Sequence, residues 1–217
     1  MKKENFLREQ TINRIHEKSG INTVSGVDLI VVDIQPEYAD YMGFKIYQFT
    51  EFLNENYESL RSLTFLYNGA DTLGMVSESD FKIWLLENEL DEEVLDFARF
   101  YDKGYAFFRY CMDSDIDEDD VANLVKFMIK HNINDTRDID ENMWNLYMKE
   151  YDIQDVRDLL EHADDMINIP ELIDFIRDSG YVNILLCGGG INECLKEVEI
   201  ALMAMDKNYR VLTKYTY

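Results

Sequence analysis

Short runs of consecutive apolar residues alternate along the chain with segments in which apolar residues recur at helical spacing. The first run, 27–33, is rich in β-branched residues, which is typical of a strand buried on both faces of a parallel sheet. A helical segment at 44–57 and a second apolar run at 63–67 follow, so that strand, helix and strand succeed one another. This alternation predicts an α/β fold.

Three more strands and several helices follow from the same reasoning. We expect strands at about 97–101, 182–187 and 209–213, and helices that begin after Ser77, after Asp117 and at Cys194. The predicted fold class is therefore α/β, with a doubly wound, mostly parallel sheet of about five strands flanked by helices. Counted along the chain, the predicted strands are expected in the order 3-2-1-4-5.

The pattern also predicts how the chain is organised. Residues 1–26 carry apolar residues at helical spacing and are expected to form an N-terminal arm or helix. Residues 27–217 are expected to form the α/β domain, interrupted by an acidic helical insertion at about 112–165. Two interpretations of the insertion stay open: a solvated acidic hairpin, or a lid or partner surface near the site.

Composition and charge exclude several classes of protein. The 217 residues include 21 Lys and Arg against 44 Asp and Glu, a formal net charge of −23. A polyanion would be repelled, so we expect neither nucleic acid nor a membrane surface as partner. The sequence shows no signal peptide and no apolar run of about 18 residues, and its three cysteines form no C-x-x-C pair. We therefore predict a soluble protein of the reducing cytoplasm.

Three residues with catalytic potential lie where predicted strands end. Asp33 closes the first strand, Lys103 follows the third, and Cys194 opens the helix after the fourth. Parallel α/β sheets bind ligands at the carboxyl ends of their strands, so the fold can bring these three side chains together. A lysine and a helix N-terminus favour the thiolate form of a cysteine, and a carboxylate can accept and relay the proton. This set suits covalent catalysis.

Three sequence blocks resemble the isochorismatase-like cysteine hydrolase superfamily, which includes nicotinamidases and N-carbamoylsarcosine-type amidases. They are 29–35, which ends in Asp-x-Gln; 101–107, which surrounds Lys103; and 188–195, which leads from three glycines to Cys194. The resemblance implies that Cys194 is the nucleophile, that Asp33 is the proton acceptor and that Lys103 is the supporting cation.

The resemblance also implies an oxyanion hole and a substrate pocket. A cis peptide at Gly189-Gly190 would direct backbone N–H groups towards the reacting carbonyl, and the hole would comprise Gly189, Gly190 and Ile191. Neighbouring residues of the same blocks are expected to line the pocket: Gln35, Tyr105, Phe107 and Asn192.

The expected substrate is a small molecule with an amide-type C–N bond. Isochorismatases themselves cleave a vinyl ether without depending on this cysteine, so the presence of Cys194 favours C–N hydrolysis. Nicotinamidases bind a metal through an Asp/His/His cluster after the second strand, but segment 68–74 has no histidine. We therefore expect no metal and no cofactor, and we expect a homo-oligomer.

Other interpretations of the same residues stay open. Cys194 can be a small buried residue at a helix start, Asp33 can cap a turn, and Lys103 can be a surface lysine. The three glycines can form a phosphate loop, although the G-x-G-x-x-G pattern is missing. Cys187 and Cys111 are expected to pack internally. The alternative function is a catalytically inactive member of the fold that serves as an acidic protein-binding or assembly module.

Overall fold

The computed structural model describes most of the chain. The described residues are 14–16, 26–36, 38–39, 43–69, 76–104, 117–161 and 170–217.

Two compact units make up the chain. The sheet unit comprises Met1–Gly104, Tyr181–Ile191 and Asn208–Tyr217, and the helical unit comprises Tyr105–Gly180 and Asn192–Lys207.

All strands of the sheet unit are parallel. In the described residues they are β1 (Arg14–His16), β2 (Asp28–Val32), β3 (Ser62–Tyr67), β4 (Arg99–Asp102), β5 (Ile184–Gly188) and β6 (Tyr209–Val211). Their order in the sheet is β4-β3-β2-β5-β6-β1. The five predicted strands are β2 to β6, and they lie in the predicted order 3-2-1-4-5. The α/β fold and its parallel five-strand order are confirmed.

The edge strand β1 lies within the segment for which we expected an arm or helix. It pairs in parallel with β6, with Ile15 opposite Arg210. Three residues with the sequence Arg-Ile-His carry no strand pattern of their own, and only the pairing with β6 makes them a strand. Periodicity therefore had no means of predicting this strand.

The α-helices of the sheet unit that lie wholly within the described residues are α1 (Ile46–Asn56), α2 (Glu78–Glu87) and α3 (Glu92–Phe97). Ser77 begins α2 as predicted, because its side chain accepts a hydrogen bond from the N–H of Asp80. Helix α3 was not among the helices that we expected from the sequence. It has Glu92 and Glu93 in its first turn, where carboxylates stabilise the positive end of the helix dipole.

An aromatic cluster forms the core between the helices and one face of the sheet. The ring of Phe65 stacks on Phe100 with centroids 5.0 Å apart and meets the ring of Phe81 edge-on at 5.7 Å. Phe49 and Leu53 of α1 are completely buried in the same cluster. Offset and edge-to-face contacts of this kind add to the free energy gained from burial. They hold α1 and α2 against the central strands.

The carboxylate of Asp28 connects β2 to the starts of the two neighbouring strands, β3 and β5. Its carboxylate accepts hydrogen bonds from Arg61 at 2.5 Å, from the Ser62 hydroxyl at 2.6 Å, and from the N–H groups of Val182 and Asn183 at 2.9 and 3.3 Å. Burial raises the pKa of Asp28, but these hydrogen bonds outweigh it and hold the pKa below its ordinary value of 3.8.

The helical unit contains α4 (Glu118–His131), α5 (Glu141–Tyr151), α6 (Arg157–Glu161), α7 (Pro170–Asp178) and α8 (Cys194–Ala204). Asp117 begins α4 as predicted and accepts the N–H of Asp119. One apolar stripe of α4 is buried, and it includes Val121, Leu124, Val125 and Met128. None of the helices in the described ranges is long and apolar enough to cross a bilayer.

Helix α4, which lies in the predicted insertion, packs against α8. Lys196 on α8 forms an ion pair with Glu118 at the start of α4. Lys126 of α4 binds the Asp206 carboxylate at 2.7 Å, just after α8 ends. Helix α4 of the expected insertion is therefore held against α8 by packing and by ion pairs. The ends of the expected insertion, 112–116 and 162–165, lie outside the described residues.

We predict that Asp28→Asn destabilises the protein in a pH-dependent manner. The variant should lose about 2 kcal/mol of unfolding free energy at neutral pH, because charge-assisted hydrogen bonds are replaced by weaker ones. The pKa of Asp28 is lower in the folded chain than in the unfolded one, so its contribution is present above about pH 4. It is lost as the pH falls through the folded pKa.

Urea unfolding of both proteins between about pH 7 and pH 2 measures this effect. The free energies of unfolding should converge as the pH falls. Asp178→Asn, which removes an exposed carboxylate at the end of α7, controls for the change in net charge. A gap between wild type and Asp28→Asn that stays constant down to pH 2 would contradict the assignment.

Candidate functional site

The carboxyl ends of β2 and β5 lie where the strand order reverses. Strands β3 and β4 lie on one side of β2, whereas β5 and β6 lie on the other. In open parallel sheets, ligands bind in the crevice at such a point. Asp33 follows β2 directly and Gly189 follows β5 directly, so two predicted site residues lie at this edge.

Asp33 combines a buried carboxylate with a backbone conformation that is rare for a residue with a side chain. Its φ is +42° and its exposed fraction is 0%. Its N–H donates to the carbonyl oxygen of Leu66 at 2.9 Å, which extends the pairing with β3 by one residue. Aspartate tolerates positive φ better than most residues, yet the conformation still costs free energy. Residues held in this way cluster at functional sites.

Lys103 reaches the Asp33 carboxylate across the end of β3. Its Nζ lies 3.0 Å from Asp33 Oδ2, and neither side chain is exposed. Nζ also donates to the carbonyl oxygen of Gly104 at 3.1 Å. The N–H of Lys103 donates to the carbonyl oxygen of Tyr67 at 2.9 Å, which fixes the backbone beside β3. The structure thus brings together two of the three predicted catalytic residues.

Gln35 holds the end of β3 in place. Its Oε1 accepts the N–H of Asn68 at 2.9 Å, and its Nε2 donates to the carbonyl oxygen of Asn68 at 3.1 Å. Both polar atoms of the Gln35 amide therefore bind the backbone of one neighbour. We expected Gln35 to line the pocket. The structure places it at the carboxyl edge of the sheet, where its side chain holds the backbone of Asn68.

Asn68 belongs to the site, although the sequence analysis did not single it out. Its exposed fraction is 0%, and in the described part of the chain neither Oδ1 nor Nδ2 has a hydrogen-bond partner. It follows β3, the strand that lies between those of Asp33 and Lys103. Its position directly after a predicted strand was the available signal, because that same rule identified Asp33 and Lys103.

The glycine turn after β5 requires glycine for two separate reasons. A Cβ on Gly188 would lie 2.3 Å from the carbonyl oxygen of Val32, so the close approach of β5 to β2 excludes any larger residue. Gly188 and Gly189 also have φ of +76° and +57°. Gly190 is buried beside them. Two of the three glycines thus adopt conformations that other residues rarely adopt.

Tyr217 binds the glycine turn and the end of β2. Its N–H donates to the carbonyl oxygen of Gly189 at 3.1 Å, and its carbonyl oxygen accepts the N–H of Ile191 at 2.9 Å. Its hydroxyl donates to the carbonyl oxygen of Asp33, and its ring meets that of Phe44 edge-on at 5.8 Å. The N–H of Ile191, an expected oxyanion donor, therefore has an acceptor within the chain. Sequence reasoning did not identify Tyr217.

Cys194 is the first residue of α8 and belongs to the helical unit. It is 9% exposed, and α8 extends for 11 residues from it. Its neighbour Asn192, an expected pocket residue, is exposed. Cys187 lies in β5 with no exposed surface, and burial raises the pKa of its thiol. Its predicted role as a packing residue is confirmed.

Some predicted residues lie outside the described ranges. They are Tyr105, Phe107 and Cys111. Among the residues that the structure does describe, no group of three or more His, Cys, Asp or Glu side chains could hold a metal ion.

Comparisons with models of known protein families, with curated proteins and with solved structures find no match. The structure itself supports an α/β fold whose parallel sheet has six strands in the described residues.

We predict that the Asp33–Lys103 pair is energetically coupled. Lys103→Met should lower the unfolding free energy by about 3 kcal/mol or more, because it leaves a buried carboxylate without its cation. The double variant Asp33→Asn/Lys103→Met should recover part of that loss. Urea unfolding of wild type, both single variants and the double variant gives the coupling energy, which we expect to be about 1–3 kcal/mol.

Lys82→Met is the matched control, because Lys82 pairs with Glu78 at 2.5 Å on the exposed face of α2. Its loss should change the unfolding free energy by less than about 1 kcal/mol. Additive effects of the Asp33 and Lys103 substitutions would show that the two charges do not interact.

Proposed function

We propose that the protein is a hydrolase related to the isochorismatase-like superfamily, and that it cleaves a small amide-type C–N bond through Cys194. The observation that carries this proposal is the buried Asp33–Lys103 ion pair at the carboxyl edge of the sheet. Desolvation of two charges offsets most of their attraction, so such a pair contributes little to stability. A role of the Asp33–Lys103 pair in proton transfer to a bound ligand explains why the chain has this pair.

Other features of the chain support this proposal. The three sequence blocks that resemble the family are present in order, and Asp33 has the strained backbone that functional sites often contain. Only Asn192 and Glu193 separate Ile191 of the glycine turn from Cys194 in the chain. A thiol at the start of an 11-residue helix is a suitable nucleophile, because the positive end of the helix dipole favours the thiolate.

The proposed reaction has two steps. Asp33 accepts the thiol proton, and the Cys194 sulfur attacks the carbonyl carbon of the substrate. The C–N bond then breaks, and the amine departs with the proton that Asp33 returns, leaving a thioester. Water attacks the thioester in the second step, which releases the carboxylic acid and regenerates the thiol. Lys103 supports the negative charge of Asp33, and backbone N–H groups bind the oxyanion.

This mechanism requires a reduced thiol and a small-molecule substrate. We therefore propose the cytoplasm as the compartment and no nucleic acid or membrane partner, in agreement with the net charge of −23. No step of the mechanism uses a metal or another cofactor. A homo-oligomer remains part of the proposal.

We predict that Cys194 is alkylated faster than an ordinary thiol at acidic pH. Iodoacetamide labelling at about pH 6, followed by peptide mass spectrometry, should modify Cys194 at least about tenfold faster than a free thiol with its usual pKa near 8.5. Lys103→Ala should remove this advantage. Release of ammonia or amine from a panel of small amides should then depend on Cys194 and disappear in Cys194→Ser.

Cys187 is the internal control for labelling, because it has no exposed surface and burial raises the pKa of its thiol. It should stay unlabelled in the folded protein and react after denaturation. If Cys194 is as inert as Cys187 at pH 6 in the folded protein, the hydrolase proposal fails.

A second candidate function is a catalytically inactive member of the fold that serves as an acidic binding or assembly module. The contact of Tyr217 favours it, because the backbone and hydroxyl of Tyr217 bind Gly189, Ile191 and Asp33 where a ligand would otherwise bind. An enzyme needs this crevice to open, whereas a binding module can keep it filled.

Amide hydrogen exchange distinguishes the two candidates. If the protein is a binding module whose crevice stays filled by Tyr217, the N–H of Ile191 should exchange as slowly as that of Leu186. Leu186 is a buried residue of the central strand β5. In an enzyme, Tyr217 must release Ile191 without unfolding of β5, so Ile191 should exchange at least about a hundredfold faster than Leu186. Native-state exchange followed by NMR measures both rates in one sample.

A further inference from the structure

The side chain of Asn68 is a buried polar group that stabilises no other part of the described chain through a hydrogen bond. Its exposed fraction is 0%, and in the described ranges neither Oδ1 nor Nδ2 forms a hydrogen bond. A buried polar group without a partner costs about 1–3 kcal/mol. Most buried side-chain polar atoms in proteins do have partners, so an exception requires an explanation.

The backbone of Asn68 is held firmly while its side chain is left available. Gln35 binds its N–H at 2.9 Å and its carbonyl oxygen at 3.1 Å. The same carbonyl oxygen accepts the N–H of Val76 at 3.4 Å. These contacts fix the position from which the side chain extends, and none of them uses the side-chain amide. A polar group fixed in this way is pre-organised for a ligand, because little entropy is lost when it binds.

Asn68 also follows the strand that lies between the strands of two charged site residues. Asp33, Asn68 and Lys103 follow the adjacent strands β2, β3 and β4 at their carboxyl ends, and all three are buried. A primary amide supplies two N–H donors and one acceptor oxygen. Another planar amide matches this pattern, because its carbonyl accepts from Nδ2 while its N–H donates to Oδ1.

We propose that the side-chain amide of Asn68 binds the planar amide group of the substrate and thereby determines the substrate class. The binding role follows from the unpartnered buried amide alone. The class of ligand rests on the proposed C–N hydrolysis. Asn68 is therefore a specificity residue that orients the amide beside the Asp33–Lys103 pair.

The first test is thermal stability of Asn68→Leu. An apolar side chain of similar size removes the buried unpartnered amide, so the melting temperature should rise by about 2–6 °C. Asn54→Leu is the matched control, because Nδ2 of Asn54 donates to the carbonyl oxygen of Glu89 at 2.8 Å and its Oδ1 accepts the N–H of Asp91 at 3.0 Å. That variant should melt at a lower temperature than wild type.

A fall in melting temperature for Asn68→Leu as large as that for Asn54→Leu overturns the proposal. It would mean that the Asn68 amide is hydrogen-bonded inside the protein, for example by an enclosed water, and has a structural role.

The second test measures binding directly and does not depend on the stability of a variant. The side-chain NH₂ signals of Asn68 in a ¹H–¹⁵N spectrum are those that disappear in Asn68→Leu. Acetamide, added to the wild-type protein, should shift these signals in a saturable manner, whereas acetate should not. The dissociation constant for acetamide, followed at the backbone N–H of Gly69, should increase at least about tenfold in Asn68→Leu. Unchanged Asn68 signals at saturating acetamide overturn the proposal.

The two tests separate this inference from the proposed function. Acetamide binding at Asn68 together with an inert Cys194 would support an amide-binding site without hydrolysis. A reactive Cys194 and amide hydrolysis, together with unchanged Asn68 signals, would leave the hydrolase standing and refute the role of Asn68.

Discussion

The close packing of β2 between its two neighbours determines the geometry of the whole carboxyl edge. Val32 at the end of β2 is paired with Leu66 of β3 and with Gly188 of β5. A Cβ at Gly188 would lie 2.3 Å from the carbonyl oxygen of Val32, so this register requires glycine. The register in turn fixes which residues leave the sheet side by side. Asp33 turns away from β2 at the same level as the glycine turn leaves β5.

The fold was predictable wherever burial alone determines structure. Strands β2, β3 and β5 are short, mostly apolar runs, and a parallel sheet buries such runs on both faces, so the sequence pattern and the structure agree. Asp33 and Lys103 were predictable for a different reason: residues that directly follow the strands of a parallel sheet meet at one edge. Their 3.0 Å separation fits this rule, since strand order places only β3 between them.

Features that depend on distant partners were not predictable. Strand β1 is a strand only because it pairs with β6, and its own three residues carry no pattern. The hydroxyl of Tyr217 binds the carbonyl oxygen of Asp33, which is 184 positions away in the chain. Periodicity describes which face of an element is apolar, and it contains no information about such long-range polar contacts. The orphaned amide of Asn68 belongs to the same class, because only three-dimensional structure shows that a polar atom lacks a partner.

A buried polar group is fully hydrogen-bonded at the amino ends of the central strands, whereas another at the carboxyl ends is not. This contrast is the main argument for the ligand site that we propose. At the amino end, the buried carboxylate of Asp28 accepts four hydrogen bonds, from Arg61 and Ser62 at the start of β3 and from the two residues before β5. At the carboxyl end, the equally buried side chain of Asn68 has none within the described chain. Both groups belong to the same sheet. Because the same sheet satisfies Asp28 fully, the unsatisfied amide of Asn68 requires an explanation, and the ligand site that we propose supplies one.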